Sequence, residues 1–162
     1  YDLKILTAMV HNPFEMEVAR DSGFFKCFAA YYNLIERWII PYIDELHTSE
    51  SFIGIRPLYH GILTDSSYCS HGDYTEEYTR NLRRRIDRSF PERVRKLKEK
   101  GIWAGSLQSF ALRFTLAHPA VKTVIVGMSK PEHFFELINA VDMPMRFSQF
   151  KEIVRELERK VT

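Results

Sequence analysis

Gly127, Met128, Ser129 and Lys130 stand together between an apolar run at residues 123–126 and a helix-like run at residues 131–141. These residue types at a strand-to-helix turn suit a phosphate. The glycine lets the backbone approach a ligand closely, and the serine hydroxyl can hydrogen-bond a phosphate oxygen. The lysine adds charge where a helix N-terminus already favours an anion. The same letters have a second reading, because Ser129-Lys130-Pro131-Glu132 is also a capping box. One serine can serve both purposes. Other candidates read as ordinary surface. His60 and His71 fall in turn-rich sequence and read as solvated loop histidines, and His11 reads as a turn residue before an Asn12 helix cap. Cys27 and Cys69 have neither metal-type spacing nor a disulfide framework, so no metal site is expected. Arg83, Arg84 and Arg85 form the densest basic cluster. With Glu76, Glu77, Asp87 and Glu92 beside them, they read as a solvated helix face rather than a nucleic-acid contact.

The elements that would position this turn alternate. Residues 3–9 form a strand-length apolar run. Asn12-Pro13-Phe14-Glu15 then starts a helix, with Asn as N-cap, Pro at the first helical position and Glu three residues on. That helix ends near Ser22, at Gly23. Residues 26–32 read as a second strand, 38–46 as a helix and 51–55 as a third strand. Residues 56–73 are a turn-rich connection long enough to be functional. Residues 75–88 and 92–100 read as charged helices separated near Pro91. Residues 106–117 are amphipathic, with Leu107, Phe110, Ala111 and Phe114 at i, i+3, i+4 and i+7. His118-Pro119 stops that helix. Residues 123–126 (TVIV) read as a fourth strand, apolar on both faces as in a parallel sheet. Residues 131–141 form the next helix. Phe150, Ile153, Val154, Leu157 and Val161 mark a last one. Strands alternating with helices imply an α/β fold with a parallel sheet and right-handed crossovers. Four such units make half of a (β/α)8 TIM barrel, four parallel strands with flanking helices and a C-terminal helix. An open four-stranded α/β sheet is the alternative if the chain folds alone.

Composition narrows the class. The chain has 162 residues, 45% hydrophobic and 27% charged, with a formal net charge of +2. That is ordinary for one soluble domain. The charge is too small to imply nucleic acid, and no apolar run reaches membrane-spanning length. With no signal-peptide pattern and two unpaired cysteines, a cytoplasmic location is expected. The chain starts at Tyr1 and runs almost directly into a strand, so residues 1–162 are expected to be a single partial domain of something longer.

Three stretches resemble the aldo-keto reductase superfamily, and they come in that family's order. Residues 11–37 (HNPFEMEVARDSGFFKCFAAYYNLIER) are similar to the fifth strand turn and helix, then the sixth strand ending in Tyr32-Asn33-Leu34. Residues 53–64 (IGIRPLYHGILT) are similar to the seventh strand and its proline turn. Residues 111–136 are similar to the seventh helix, eighth strand and cofactor-binding turn. The resemblance implies the C-terminal half of a barrel (strand 5 to the C-terminal helix) that binds NADP, with NAD possible, and reduces a small-molecule aldehyde or ketone. On that resemblance Gly127, Met128, Ser129, Lys130, His133 and Glu136 hold the adenosine end, and Arg56, Pro57, Leu58 and Gly61 line the pyrophosphate. The catalytic Asp, Tyr, Lys and His of the family belong to its first half, so no catalytic residue is expected here. Lys26, Tyr31 and Tyr32 are not candidates for those roles. Four positions depart from the pattern. Met9 and Val10 stand where the family places a Ser-Asn pair, Ala29 where it places Gln, and Ile55 where it places a stacking aromatic. Met9 and Ile55 read as core residues. The second reading is therefore a degenerate barrel that senses a cofactor or binds a partner. A half barrel leaves two edge strands open, which implies an N-terminal half barrel or self-association as its partner.

Overall fold

The structure is a computed structural model that describes residues 6–65, 76–128 and 131–159. Four strands, β1 (Thr7–Met9), β2 (Cys27–Tyr31), β3 (Ser51–Ile55) and β4 (Val121–Ile125), form one sheet in the order β1-β2-β3-β4. Every neighbouring pair is parallel, with Met9 opposite Ala29, Ala29 opposite Ile53, and Ile53 opposite Thr123. A register shift between Phe52 and Ile53 absorbs Lys122, so Val121 pairs with Phe52. The helices are α1 (Pro13–Asp21), α2 (Ile40–Asp44), α3 (Glu76–Arg84), α4 (Phe90–Glu99), α5 (Leu107–Leu116), α6 (Pro131–Val141) and α7 (Phe147–Glu158). A 3-10 turn, Tyr59–Gly61, follows β3.

Strand order and burial together settle the architecture. Parallel neighbours in sequence order wind in one sense only, as in a barrel. The main core cluster takes alternate strand residues: Ala8 and Val10, then Phe28, Ala30 and Tyr32, then Phe52 and Val121. These pack on Met16, Phe110, Phe114, Phe150 and Ile153 from the helices. The intervening residues, Met9, Tyr31, Ile53, Ile55, Thr123 and Ile125, lie outside that cluster. Helices thus cover one face, and the other is the inner wall of an arc. A doubly wound sheet would carry helices on both faces. The fold is half of a (β/α)8 barrel: four parallel strands, flanking helices and a C-terminal helix.

Local chemistry explains the helix positions. Asn12 caps α1, accepting from the Glu15 amide at 3.0 Å, while Glu15 accepts from the His11 amide at 2.7 Å. Ser106 caps α5, accepting from the Ser109 amide. Pro91 sits in the first turn of α4, which therefore starts earlier than the sequence reading has it, because a proline suits that turn. Gly54 lets α5 approach β3: a Cβ there would lie 2.7 Å from Thr115 Cγ2.

Three expectations change. Met9 is not core; it is 40% exposed, because β1 is an edge strand and Met9 lies on its inner face. Strand β4 is not buried on both faces, since Lys122, Thr123 and Ile125 are exposed along the other edge. His60 is half-buried rather than solvated, with its ring against Tyr59 and Tyr78. Cys69, His71 and Val161 lie outside the described residues. No described helix is long and apolar enough to cross a membrane, and no described group of His, Cys, Asp or Glu could hold a metal.

Candidate functional site

Parallel strands bring all four carboxyl ends to one rim of the arc, where ligands of such barrels collect. The loops there begin at Val10, Tyr32, Arg56 and Val126. Gly127 and Met128 lie at the β4 end. Gly127 is exposed, and a Cβ placed on it would meet nothing within 4 Å. Ser129 and Lys130 lie outside the described residues. His133 and Glu136 follow on the first turns of α6 and are half-buried. Glu136 is already engaged. Its carboxylate accepts from Ser106 Oγ and, at 2.8 Å, from Gln108 Nε2, which ties α6 to the start of α5. Gln108 Oε1 in turn accepts from the Asp65 amide at 3.0 Å. The ends of the β3 connection, α5 and α6 are therefore fastened beside the Gly127 turn.

The turn after β3 is strained. Arg56, Tyr59 and His60 have φ of 58°, 41° and 55°, the left-handed region that non-glycine residues seldom occupy, and Gly61 follows at 81°. Three such residues cost on the order of 1 kcal/mol each. Pro57 is buried, and Leu58 packs on both apolar clusters. Asn33 holds the turn in place. It is fully buried, and its Nδ2 donates to the Arg56 carbonyl at 3.1 Å and to Glu36 Oε2 at 2.8 Å. Its Oδ1 accepts from the Ile35 and Glu36 amides, both at 2.9 Å. Burial raises the Glu36 carboxyl above its usual range, against the Asn33 hydrogen bond and the charge of Arg56. Burial, then Arg56, lowers His60. The Arg56 guanidinium lies 4.0 Å from the centroid of Tyr31, whose ring also meets the edge of His11. The candidate residues thus form two groups on one rim, Arg56–Gly61 at the β3 end and Gly127–Glu136 at the β4 end.

The sequence profile of the aldo/keto reductase family matches residues 24–158. The chain belongs to the aldo/keto reductase family. Solved structures agree on the fold. The holo form of an aldo-keto reductase from Bacillus halodurans aligns at 15% identity with a TM-score of 0.57, covering 96% of this chain and 62% of that one. A glycerol dehydrogenase from Gluconobacter oxydans aligns at 20% identity with a TM-score of 0.67, covering 98% of this chain and 50% of that one. This chain therefore spans between half and about three fifths of the length of these two aldo/keto reductase folds. No protein with a curated description matches it significantly.

The four positions that depart from the resemblance do not all share one face. Met9, Ala29 and Ile55 face the wall, and Val10 is buried on the helix side. Tyr32 is fully buried against Phe52 and Phe114, and burial raises its phenol well above the ordinary range. Lys26 is exposed before the start of β2, at the opposite end from the rim. Neither can donate a proton to a ligand at the rim. In the sequence Asn33 stands out only as part of the Tyr32-Asn33-Leu34 match, Tyr31 only as a residue set aside as a proton donor, and Glu36 not at all. The fragment Asn33-Leu34-Ile35-Glu36 carries a readable signal, since an Asn two and three residues before free amides is an Asx turn.

Proposed function

We propose that this chain is the C-terminal half of an NAD(P)H-dependent oxidoreductase of the aldo/keto reductase family, one that reduces aldehydes or ketones. On this reading the chain supplies cofactor binding and barrel closure. The observation that carries it is Gly127, exposed just past the end of β4 with open space where a Cβ would stand, on the rim where such barrels bind ligands. Gly127, Met128, Ser129, Lys130, His133 and Glu136 would hold the adenosine phosphate end, and the Arg56, Pro57, Leu58 and Gly61 turn would border the pyrophosphate. The bound dinucleotide would supply the hydride. NADP is preferred over NAD because Ser129 and Lys130 suit an additional phosphate. The proton donor would come from a partner half barrel, and the open edges of β1 and β4 are where that half, or a second copy of this chain, would pair. Phe14 and Val18 on α1, with Phe134, Ile138 and Val141 on α6, are exposed beside those edges. An apolar cavity of about 410 Å³ lies along β4 between α5 and α6.

The apolar inner wall at Met9, Ala29 and Ile55 favours a second reading, a non-catalytic barrel that senses a cofactor or binds a partner. Titrating NADPH into the 162-residue chain and following its fluorescence separates the two. Saturable binding without carbonyl-dependent NADPH oxidation is the outcome expected of a cofactor-binding half. Oxidation by this chain alone would overturn the assignment of the proton donor to the other half. Absence of binding would favour the interaction module.

A further inference from the structure

Among the described residues the inner wall carries a polar construction, Arg56 on Tyr31, that the cofactor reading places only at the border of the pyrophosphate. Tyr31 is the last residue of β2, and its neighbour Tyr32 points into the helix layer, so Tyr31 faces the arc's interior beside Ile55. The Arg56 guanidinium lies over the Tyr31 ring at 4.0 Å, and among the described residues it makes no hydrogen bond or ion pair. The carboxylate in electrostatic range, Glu36, is held instead by Asn33 at 2.8 Å. Arg56 reaches this place through a left-handed backbone, φ 58°, that a buried asparagine locks by its carbonyl. A half-buried guanidinium on an aromatic face, fixed in advance and with its donor fork unused, suits bidentate binding of a planar oxyanion. Preorganisation removes the ordering cost that a flexible surface arginine would bear. Strain kept at a residue that makes no other side-chain polar contact points to a ligand as its use.

We propose that Arg56 on Tyr31 is an oxyanion receptor on the inner wall of the barrel mouth, and that the carbonyl compound reduced there carries a carboxylate. The substrate part of this proposal rests on the reductase reading, whereas the receptor itself does not. The same chemistry would take a phosphate oxygen of the dinucleotide, so the test must separate the two sources.

The experiment titrates the full 162-residue chain with pyruvate, with butanone as the uncharged control and with inorganic pyrophosphate, following the Arg56 Nε–H resonance. Pyruvate is expected to shift that resonance saturably and butanone to leave it in place. Arg56→Gln should weaken pyruvate binding at least tenfold, and Arg56→Lys, which keeps the charge without the fork, should fall between. Arg56→Gly should abolish binding while keeping or raising the melting temperature, because it relieves the left-handed backbone; a folded, stable and non-binding variant excludes misfolding as the cause. Equal pyruvate binding by wild type and Arg56→Gln overturns the receptor. A resonance moved by pyrophosphate and not by pyruvate overturns the carboxylate assignment and gives the anion to the dinucleotide. A parallel NADPH titration keeps the two readings apart: pyruvate binding without NADPH binding sustains the receptor while the reductase reading fails, and NADPH binding without pyruvate binding does the reverse.

Discussion

The two faces of this sheet obey different rules. On the helix side, Phe28, Tyr32 and Phe52 are fully buried and meet Phe110, Phe114 and Phe150 across the layer. On the inner side, Met9 and Ile125 are exposed, Tyr31, Ile53 and Ile55 are half-buried, and the strained Arg56 turn sits at the rim. The first face repeats what any barrel needs. The second holds Met9, Ala29 and Ile55, three of the four positions that depart from the resemblance, while Val10 lies on the helix side. A substitution on the helix side should register in folding, and one on the rim should register in ligand binding.

The largest effect would come from the helix side. Phe114→Ala removes a fully buried ring between Tyr32 and Phe150, and should cost about 3–5 kcal/mol in urea unfolding. A cost under about 1 kcal/mol would break the contrast between the faces. Next, Gly54→Ala would drive a methyl into Thr115 Cγ2, a site where α5 has no slack because Thr115 Oγ1 is bonded to the Ala111 carbonyl at 3.0 Å. Overpacking of this kind costs about 1–3 kcal/mol. Adding Thr115→Ser, which deletes the clashing methyl, should recover most of that loss in a double-mutant cycle.

Rim substitutions sharpen the comparison from the other side. Gly127→Ala meets open space, so its stability should stay within about 0.5 kcal/mol of wild type. NADPH binding should nonetheless weaken about tenfold, roughly 1.4 kcal/mol, if the backbone there must approach a phosphate. Unchanged NADPH affinity would remove the turn from the cofactor site. The smallest effect concerns Glu36. Its carboxyl is raised by burial, so the folded state holds the proton more tightly than the unfolded chain. That contribution is fully present below the unfolded value and is lost as pH rises through the folded one. Glu36→Gln should therefore be more stable than wild type at pH 7, by the smallest margin of these substitutions. The difference should vanish toward pH 4, near the ordinary value of 4.5. Paired melting curves at the two pH values test the sign.

What could be read from the sequence divides along the same line. Short-range patterns were enough for the helix side. The Asn12 cap, the Phe110–Phe114 stripe of α5 and the parallel alternation all reflect periodicity or hydrogen bonds within one turn of helix. The faces of β2 were not legible, because CFAAY is apolar or small throughout and alternation carries no signal there. Met9 looked like core because an apolar residue in a strand does not say whether another strand lies beside it. The rim was harder still. Nothing in Arg56-Pro57-Leu58-Tyr59-His60 marks three left-handed residues, since none is glycine. His60 is half-buried through Tyr78, and Glu136 is bound through Ser106 and Gln108, partners distant in sequence. The Gly127 turn was legible as a strand-to-helix turn because glycine, serine and lysine are themselves unusual there.

The strand registers also bear on how the chain reaches this shape. Met9 meets Ala29 and Ala29 meets Ile53 over short intervals, but Ile53 meets Thr123 only after the whole segment carrying α3, α4 and α5. Loop-closure entropy grows with the length enclosed, and contacts distant in sequence slow folding. β1 to β3 can therefore zip in succession, with β4 docking last. The Gly127 turn is mounted on the strand with the longest loop to close, so this end of the rim is expected to be the last part of the arc to form.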